Sequence, residues 1–505
     1  MMRKLLLAVA VVLGFVGIVP GAGATVITVD RTDDNFGFGS PGCSLRNAVA
    51  TAASDVPGYG DCPTGSGDDT VRIPTGLYKL TIPGAHEGTS STGDLNVSGP
   101  QDLTIEPTGP NEKVTIDGNG IDRIFTHTGG ASAGDLTIRN MILTGGSTTG
   151  AESPGLGIEG GAVFNVDGRL VLDGVLLFNN HSAYIGGAIY NSGSLLITNT
   201  TFSGNRADGS GGAIYNGDYS LPVNPGSVQI RSSTITDNEA DSNTNGTGAG
   251  GGIVQDSEHA MNMYNSIIAG NRDASAPSIP DCRSAPNFFP RYVISTQALG
   301  AGECLTGFDP GNNLSPVDPQ LEGLADNGGV TFTHALPLGS PAINAGSDGS
   351  LALDACPATD QRGFARTFGR CDMGAYEYQD VPPEPLPGIP GPTASTATFD
   401  GVNLFIRLKC PARFRPRCNS TVVPVTARRN GQPMAAAVRV STRSNGSRRI
   451  SFRIRPAFRD RVAAMTFEDR RRLVVKQKIR SRRVRSRRAT RPSTVFHKYK
   501  VRVRV

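Results

Sequence analysis

The chain has 505 residues, of which 64 are glycine and none is tryptophan. This length exceeds what one hydrophobic core usually holds, and the composition favours a turn-rich all-β architecture, so a single helical domain is excluded. The formal net charge is +5, but residues 396–505 carry 31 Lys and Arg against 4 Asp and Glu, a net of +27 that leaves residues 1–395 at −22. This division indicates a domain boundary and a basic extension suited to polyanions.

The N-terminus has the pattern of a signal peptide. Two basic residues precede an apolar stretch over residues 5–19, and the small residues Ala-Gly-Ala end at Ala24, before a polar segment that begins at Thr25. This pattern predicts a signal peptide over residues 1–24. The apolar stretch is too short to span a bilayer, and no other run of about 18 apolar residues follows. We therefore expect a secreted, extracellular and surface-associated protein with no transmembrane segment.

Residues 136–271 repeat two sequence elements. The first is an apolar alternation that closes on Asn180, Asn205, Asn238 and Asn271, with an earlier copy that closes on Gly146. The second is a glycine pair before a small residue and an apolar alternation, at Gly160, Gly186 and Gly211, with a weaker copy at Gly251. The three strong glycine pairs are 26 and 25 residues apart, and this period is in the solenoid range.

Each repeat unit contains two short runs of alternating residues, so each supplies strands that turn one side toward an interior. One unit cannot bury that side alone, whereas stacked units bury it continuously and pair strands at about 4.8 Å. We place the glycine pairs and the recurring asparagines at the corners, because both tolerate the left-handed backbone and the asparagine amide can bond to the next coil. The alternative, an asparagine ladder that binds a ligand, stays open.

Several motifs resemble known bacterial β-helix proteins. GGAIYN at Gly186 and FSGN at Phe202 resemble the repeat of the polymorphic outer-membrane proteins and of many right-handed parallel β-helix proteins. CSLRNA at Cys43 resembles the CSLREA motif that opens a class of exported β-helix proteins, with Asn47 in place of glutamate, and GDDTVRIPTGLYKL at Gly67 fits the first coil of that class. LTIEP and VTIDGNG, over residues 103–107 and 114–120, are similar to early coils.

Three downstream stretches resemble the choice-of-anchor Q domain that often terminates such helices, and they begin at Asn312, Asp360 and Gly369. The resemblance therefore implies a pectate-lyase-like right-handed parallel β-helix. Its parts are a cap with the first coils over residues 25–100, repeats over 101–300 and a terminal segment over 301–380. Residues after 380 lack the membrane-domain pattern of the polymorphic outer-membrane proteins, so we do not expect an autotransporter. These motifs specify architecture and leave the activity open.

The C-terminal part begins with a proline-rich linker over residues 381–396, which we expect to be extended. Residues 397–505 then alternate apolar residues with arginines, a pattern typical of strands with one buried side and one cationic side. Such runs begin at Val402, Ala435, Arg448, Arg471 and Lys498. We predict a small basic β-sandwich after the solenoid.

The densest basic run is our candidate polyanion-binding site, and it consists of Arg482, Arg483, Arg485, Arg487 and Arg488. The partner we expect is an anionic cell-wall polymer or an acidic polysaccharide, held by salt-sensitive pairing. Dedicated nucleic-acid recognition is not expected, because few aromatic residues interleave with the arginines and no base-reading motif is present. Two alternatives stay open: a solvated arginine-rich surface, and binding of the basic region to an acidic body.

The eight cysteines fall into close neighbours along an exported chain, which favours disulfides over free thiols. The sequential pairs are Cys43 with Cys62, Cys282 with Cys304, Cys356 with Cys371, and Cys410 with Cys418. No pair has the CxxC spacing of a zinc knuckle, and the six histidines show no ligand spacing, so we predict no metal site.

Many parallel β-helices are polysaccharide-degrading enzymes, so we looked for their residues. Glycoside hydrolysis needs two positioned carboxylates, and a calcium-dependent lyase needs clustered acidic ligands with a base. The nearest candidates are Asp117, Asp122 and Arg123, in a stretch that is also an ordinary turn sequence. No specific motif supports calcium or another cofactor. We expect a binding, adhesin-like or matrix structural module, with a pectate-lyase-like lyase or glycoside hydrolase as the alternative; the oligomeric state is not predicted.

Overall fold

A computed structural model describes the chain over the following residues: 23–84, 88–129, 133–148, 157–217, 226–257, 260–284, 287–297, 312–352, 354–366, 370–379, 397–399, 403–409, 417–425, 438–443, 447–455, 473–481, 493–501 and 503–504. The chain divides into two compact units, Met1–Tyr378 and Gln379–Val505. Among the described residues, no helix has the length and the apolar character that crossing a bilayer requires.

The first unit is built almost entirely from short strands. The elements within residues 23–148 are β1 (Val26–Thr28), α1 (Leu45–Ser54), β2 (Asp69–Ile73), β3 (Gly76–Lys79), β4 (Leu95–Val97), β5 (Leu103–Pro107), β6 (Val114–Asp117), β7 (Phe125–His127), β8 (Asp135–Arg139) and β9 (Ile142–Thr144). Those within residues 157–217 are β10 (Val163–Asn165), β11 (Arg169–Asp173), β12 (Leu176–Phe178), β13 (His181–Ser182), β14 (Ile189–Asn191), β15 (Ser194–Thr198), β16 (Thr201–Ser203), β17 (Arg206–Ala207) and β18 (Ile214–Asn216). Those within residues 226–334 are β19 (Val228–Arg231), β20 (Thr234–Thr236), β21 (Glu239–Ala240), β22 (Ile253–Gln255), β23 (Met261–Ile268), β24 (Arg272–Asp273), β25 (Cys282–Ser284), β26 (Phe288–Ser295), β27 (Leu324–Ala325) and β28 (Thr333–His334).

These strands stack in parallel into faces. The first face runs β1-β2-β5-β8-β11-β15-β19-β23, and the second runs β3-β6-β9-β12-β16-β20-β23, with the long strand β23 shared between them and paired to β26. The third face runs β4-β7-β10-β14-β18-β22-β25, and a short face runs β13-β17-β21-β24. Successive strands of a face come from successive turns of the chain. This is the parallel β-helix that the repeats predict, and the prediction of the fold class is confirmed.

The interior is filled by side chains that stack in register. On the third face, Val163, Ile189, Ile214 and Ile253 lie opposite one another in adjacent strands, and all four are fully buried. The neighbouring positions of most strands on the first face are only partly buried, as the alternating sequence predicts. Burying one such aliphatic side chain contributes about 1.5 to 3 kcal/mol. Stacking therefore supplies the burial that a single unit lacks.

At the corners of the coils, the structure differs from the sequence interpretation in two details. The left-handed backbone belongs to the residue before each recurring asparagine, namely Asn179, Gly204, Asp237 and Gly270. The prediction that Asn180 and its equivalents occupy the left-handed corner is therefore wrong; their side chains lie inside the coil. The predicted glycine pair at Gly251 is also wrong by one residue. Gly250 has a φ of 64°, as Gly211 has a φ of 70°, and Ile253 lies opposite Ile214.

The second glycine of each pair is required by space rather than by its backbone angles. A Cβ on Gly187 would lie 2.1 Å from the carbonyl oxygen of Gly212 in the next coil. Any larger residue at this position would push adjacent coils apart.

Helix α1 caps the N-terminal end of the solenoid. Ser44 is its N-cap and accepts a hydrogen bond from the Asn47 amide, which satisfies one of the free donors at the helix start. Leu45, Ala48 and Val49 are buried against the core of the first coils. The helix thus covers apolar side chains that the first coil would otherwise expose to water.

Residues 312–378 form a segment that we call the strap. It includes β27 and β28, which pair antiparallel, and it lies along the outer side of the second face. Gln361 accepts a hydrogen bond from the Thr201 hydroxyl at 2.6 Å, Ala375 donates to the Thr234 hydroxyl at 3.0 Å, and Asn265 donates to the Asp354 carbonyl at 2.7 Å. The resemblance implied a terminal segment of the helix, and the structure places it beside earlier coils.

Two of the predicted disulfides lie within the described residues. Cys43 and Cys62 are joined beside α1, and Cys356 and Cys371 are joined within the strap. Cys282 is also disulfide-bonded. Its predicted partner Cys304, and the predicted Cys410–Cys418 bridge, lie outside the residues whose side chains are described, so those pairings stay predictions.

The second unit contains two four-stranded sheets. Its strands are β29 (Ala397–Phe399), β30 (Asn403–Lys409), β31 (Arg417–Val425), β32 (Val438–Arg443), β33 (Ser447–Arg453), β34 (Leu473–Ser481), β35 (Ser493–Val501) and β36 (Val503–Arg504). The sheet orders are β33-β30-β29-β36 and β32-β31-β34-β35, antiparallel except for the β29–β36 pair. Strands form at all five predicted runs, and β29 and β31 are additional strands.

Candidate functional site

The three candidate catalytic residues do not form one site. Asp117 ends β6, where its carboxylate accepts a hydrogen bond from the Asn119 amide at 2.8 Å and lies 3.9 Å from Lys79 Nζ. Asp122 and Arg123 follow the turn and are only 3% and 4% exposed. Asp117 therefore serves the turn that its sequence predicts, and the other two residues lie inside the protein.

Arg123 is enclosed by its partners. Its Nε lies 3.7 Å from both Asp94 Oδ2 and Asp122 Oδ1, and its guanidinium stands 5.0 Å from the centre of the Phe164 ring. A further bond joins Arg123 to the Gly157 carbonyl. Burial raises the pKa of Asp122, and the charge of Arg123 opposes that rise. This cluster joins neighbouring coils, and a polymer cannot reach it.

Asn180, Asn205, Asn238 and Asn271 form a buried ladder. The Oδ1 atoms of Asn205, Asn238 and Asn271 each accept from the Nδ2 and the backbone amide of the asparagine one coil before, as in the 2.9 Å bond from Asn180 Nδ2 to Asn205 Oδ1. The ladder begins where the Gly146 amide donates to Asn180, and it ends where Asn271 donates to the Asp281 carboxylate. These amides face one another inside the coil, so the asparagine row is structural.

A second internal ladder follows the third face. Asn165, Asn191, Asn216 and Gln255 are joined by side-chain bonds of 2.6 to 2.7 Å. His127 lies at its start, with Nδ1 2.7 Å from Asn165 Oδ1 and Nε2 3.0 Å from the Gly134 carbonyl oxygen. Burial lowers the pKa of His127, whereas its two hydrogen-bond partners oppose that shift. The side-chain amides of this ladder thus bond to one another from coil to coil.

A groove of about 200 Å³ between the strap and the second face is the best candidate for a ligand site. Its polar lining includes Thr236, Asp237, Thr296, Asp318, Glu322 and His334. The three carboxyl groups favour a small ligand that donates hydrogen bonds or carries positive charge, and they disfavour an anionic polymer. Sequence reasoning missed this groove, because its lining comes from separate segments of the chain, near residues 236, 270, 296, 320 and 334.

His334 lines the groove and contacts Ser203, which lies behind it. His334 Nδ1 donates to the Glu322 carbonyl at 2.8 Å, so Nε2 is left to accept from the Ser203 hydroxyl at 3.0 Å. Burial lowers the pKa of His334 and favours this neutral form. A serine beside a neutral histidine is also the start of a nucleophilic site. Ser203 is only 3% exposed and does not line the groove, so this pair fastens the strap.

The strap also contains a buried ionic cluster. Arg362 pairs with Asp360 at 2.7 Å, and Arg366 pairs with Glu377 at 3.1 Å, with each of these side chains at most 4% exposed. Asp372 lies beside them and accepts hydrogen bonds from the Asn344 and Tyr378 amides. Burial, with the charge of Glu377 added, raises the pKa of Asp372 to about 7. These charges hold the turns of the strap together.

No group of three or more His, Cys, Asp or Glu side chains within the described ranges is arranged to hold a metal ion. The five arginines proposed for polyanion binding, Arg482, Arg483, Arg485, Arg487 and Arg488, lie outside the described residues. The polyanion site therefore stays a prediction from charge.

One family model matches part of the chain. Residues 199–217 match the Chlamydia polymorphic membrane protein (Chlamydia_PMP) repeat. The matched stretch contains β16, the ladder residue Asn205, the glycine pair at Gly211 and β18. No curated protein matches the chain. The match agrees with the parallel β-helix and suggests a protein of the bacterial outer surface, while it assigns no ligand or reaction.

Proposed function

We propose that this protein is a secreted, surface-associated β-helix module that binds an anionic polymer without degrading it. The observation that carries the non-catalytic part is the enclosure of Asp122 and Arg123, which are paired with each other and with Asp94 inside the solenoid. The charges that a lyase or hydrolase would need at this place are used to join coils. The repeat match over residues 199–217 supports a location at the cell surface.

The anionic ligand is assigned to the basic C-terminal region by charge. Residues 396–505 carry a net +27, and residues 1–395 carry −22. The groove beside His334 is lined by Asp237, Asp318 and Glu322, so a teichoic acid or an acidic polysaccharide would meet like charge there. Opposite charge steers association, and like charge opposes it.

The proposed organisation follows the sequence boundaries. A signal peptide over residues 1–24 directs export, residues 25–380 form the β-helix, and a linker over 381–396 precedes the basic domain. Residues 397–505 supply the affinity.

One experiment separates binding from degradation. The purified protein is incubated with teichoic acid, an acidic polysaccharide and a neutral polysaccharide of similar length, and both the bound fraction and the released oligomers are measured. The proposal predicts salt-sensitive binding of the two anionic polymers, no binding of the neutral one and no released product. Release of oligomers from any of the three polymers would support the lyase or hydrolase alternative. Failure to bind either anionic polymer would contradict the proposed binding function.

A further inference from the structure

Asp69 forms an acidic site at the beginning of the solenoid. The carboxylate is 2% exposed, and it accepts hydrogen bonds from the Ser66 amide at 3.0 Å and from the Thr25 amide at 2.8 Å. Burial raises the pKa of Asp69, and the charges of Asp55 and Asp68 add to the rise. None of the described lysines or arginines pairs with it. A buried carboxylate in such surroundings favours a cation.

The residue that donates to Asp69 is also the first residue after the predicted cleavage site. Residues 22–24 are Ala-Gly-Ala, the pattern of small residues that signal peptidase requires, and Thr25 follows them. Gly23 and Ala24 are exposed, whereas Thr25 is half-buried. The Thr25 carbonyl accepts from the Thr70 amide at 2.9 Å, so Thr25 is already held beside β2.

We propose that signal-peptide cleavage after Ala24 creates an α-ammonium group on Thr25 that binds Asp69, so that maturation completes the first coil. Before cleavage, Thr25 offers the carboxylate one neutral amide hydrogen. After cleavage the same nitrogen carries a positive charge and three hydrogens at the same place. The ligand of this site is therefore the protein's own mature N-terminus. The inference rests on the export part of the proposed function.

Cleavage thereby adds an ion pair at the end of the stack. Ile27 and Val29, which follow Thr25, are fully buried in the first coil. Fixing the nitrogen of Thr25 limits fraying of β1, which has β2 as its strand neighbour. The pair thus protects the edge at which the solenoid begins.

The test compares full-length proteins released from a cleavable fusion, one that begins at Thr25 and one that begins at Gly23. The rate at which the α-amine is acylated at pH 6.5 reports how much of it is unprotonated, because this pH lies below the ordinary α-amine pKa of about 7.7 to 8. In the protein that begins at Thr25, we expect Asp69→Asn to speed acylation about tenfold, which corresponds to a shift of one pKa unit in the amine. In the protein that begins at Gly23, Asp69→Asn should leave the rate unchanged.

Asp68→Asn is the matched control, because Asp68 is exposed and accepts from the Asp102 amide rather than from Thr25. Mass measurement of the exported protein should find Thr25 as its first residue. A different first residue, or an acylation rate of the Thr25 amine that Asp69→Asn leaves unchanged, would overturn the inference. If Asp69→Asn does not fold, a Thr25 amine that is acylated as fast as the Gly23 amine overturns it equally. Polymer binding by the same proteins is measured separately, so the two proposals fail independently.

Discussion

Asn205 Nδ2 donates to Asn238 Oδ1 at 2.8 Å inside the solenoid, and Asn205 Oδ1 accepts from both nitrogens of Asn180 on the other side. Replacing Asn205 with alanine removes one donor and one acceptor and leaves buried groups of both neighbours without partners. We expect Asn205→Ala to lower the free energy of unfolding by about 3 kcal/mol, measured by denaturant titration.

Asn243→Ala is the control for this prediction. Asn243 is exposed and bonds only within its own turn, to the Asn245 amide at 3.1 Å. We expect it to change stability little. An equal loss in the two variants would show that the ladder adds nothing to an ordinary turn bond.

The second prediction concerns the buried side chain of Arg46. Its guanidinium is fully buried, pairs with Asp34 at 2.6 Å and donates to the carbonyls of Ser90, Gly93 and Asp94. Lysine keeps the charge but cannot form the paired bonds to Asp34 and the carbonyl bonds together. We expect Arg46→Lys to cost about 3 kcal/mol of unfolding free energy. Arg31→Lys is the matched control, because Arg31 forms a similar pair with Asp33 at an exposed position.

Comparable losses for Arg46→Lys and Arg31→Lys would contradict this role of Arg46. Asn47 follows Arg46 directly and has a different set of partners. Asn47 joins the loop before the helix, since its amide donates to Asn35 and Ser40 and its carbonyl accepts from Gly37. Arg46 and Asn47 therefore have separate partners.

The raised pKa of Asp372 predicts that the free energy of unfolding depends on pH. Its pKa is raised to about 7 in the folded protein, whereas an exposed aspartate in the unfolded chain has a pKa of about 3.9. Between these two pKa values the folded state therefore binds one more proton at Asp372 than the unfolded chain does. This protonation stabilises the fold at low pH, and the stabilisation is lost as the pH rises from about 4 to 7. We expect Asp372→Asn to remove that slope, on the order of 2 to 4 kcal/mol across the window.

The measurement is the difference in unfolding free energy between wild type and Asp372→Asn at several pH values, because other groups titrate over the same range. Asp348→Asn, at an exposed position of the strap, is the control. A difference that does not change with pH would exclude a shifted Asp372.

The sequence predicted the stacking but not every position within it. Its repeat pattern identified the recurring asparagines, yet a single sequence cannot separate the inward residue from the left-handed residue beside it, so Asn180 and Asn179 were exchanged in role. Gly250 and Gly251 were confused for a similar reason, because a run of three glycines fixes no register. In both places register comes from the neighbouring coil, which short-range patterns do not report.

The candidate groove could not be predicted from the sequence, because it forms where distant segments of the chain come into contact. His334 and Ser203 are 131 residues apart, and the motifs that flank His334 indicated a terminal segment, not its return along the second face. Strand β31 was missed because Arg417–Val425 interrupts its apolar alternation with polar residues and includes Pro424. Asp122 and Arg123 were identified by chemistry, and the structure places both inside the solenoid.

The basic C-terminal region is proposed to supply the affinity for anionic polymers. The direct measurement is binding of teichoic acid or an acidic polysaccharide, at low and physiological salt, by the variant with Arg482, Arg483, Arg485, Arg487 and Arg488 changed to glutamine. We expect affinity to fall at least about tenfold, with a shallower salt dependence, because several charge contacts are removed. The matched control changes five exposed arginines of the solenoid, Arg72, Arg139, Arg169, Arg206 and Arg272, to glutamine. We predict that this control binds as wild type does; equal losses in the two variants, or full binding by the first, would contradict the account.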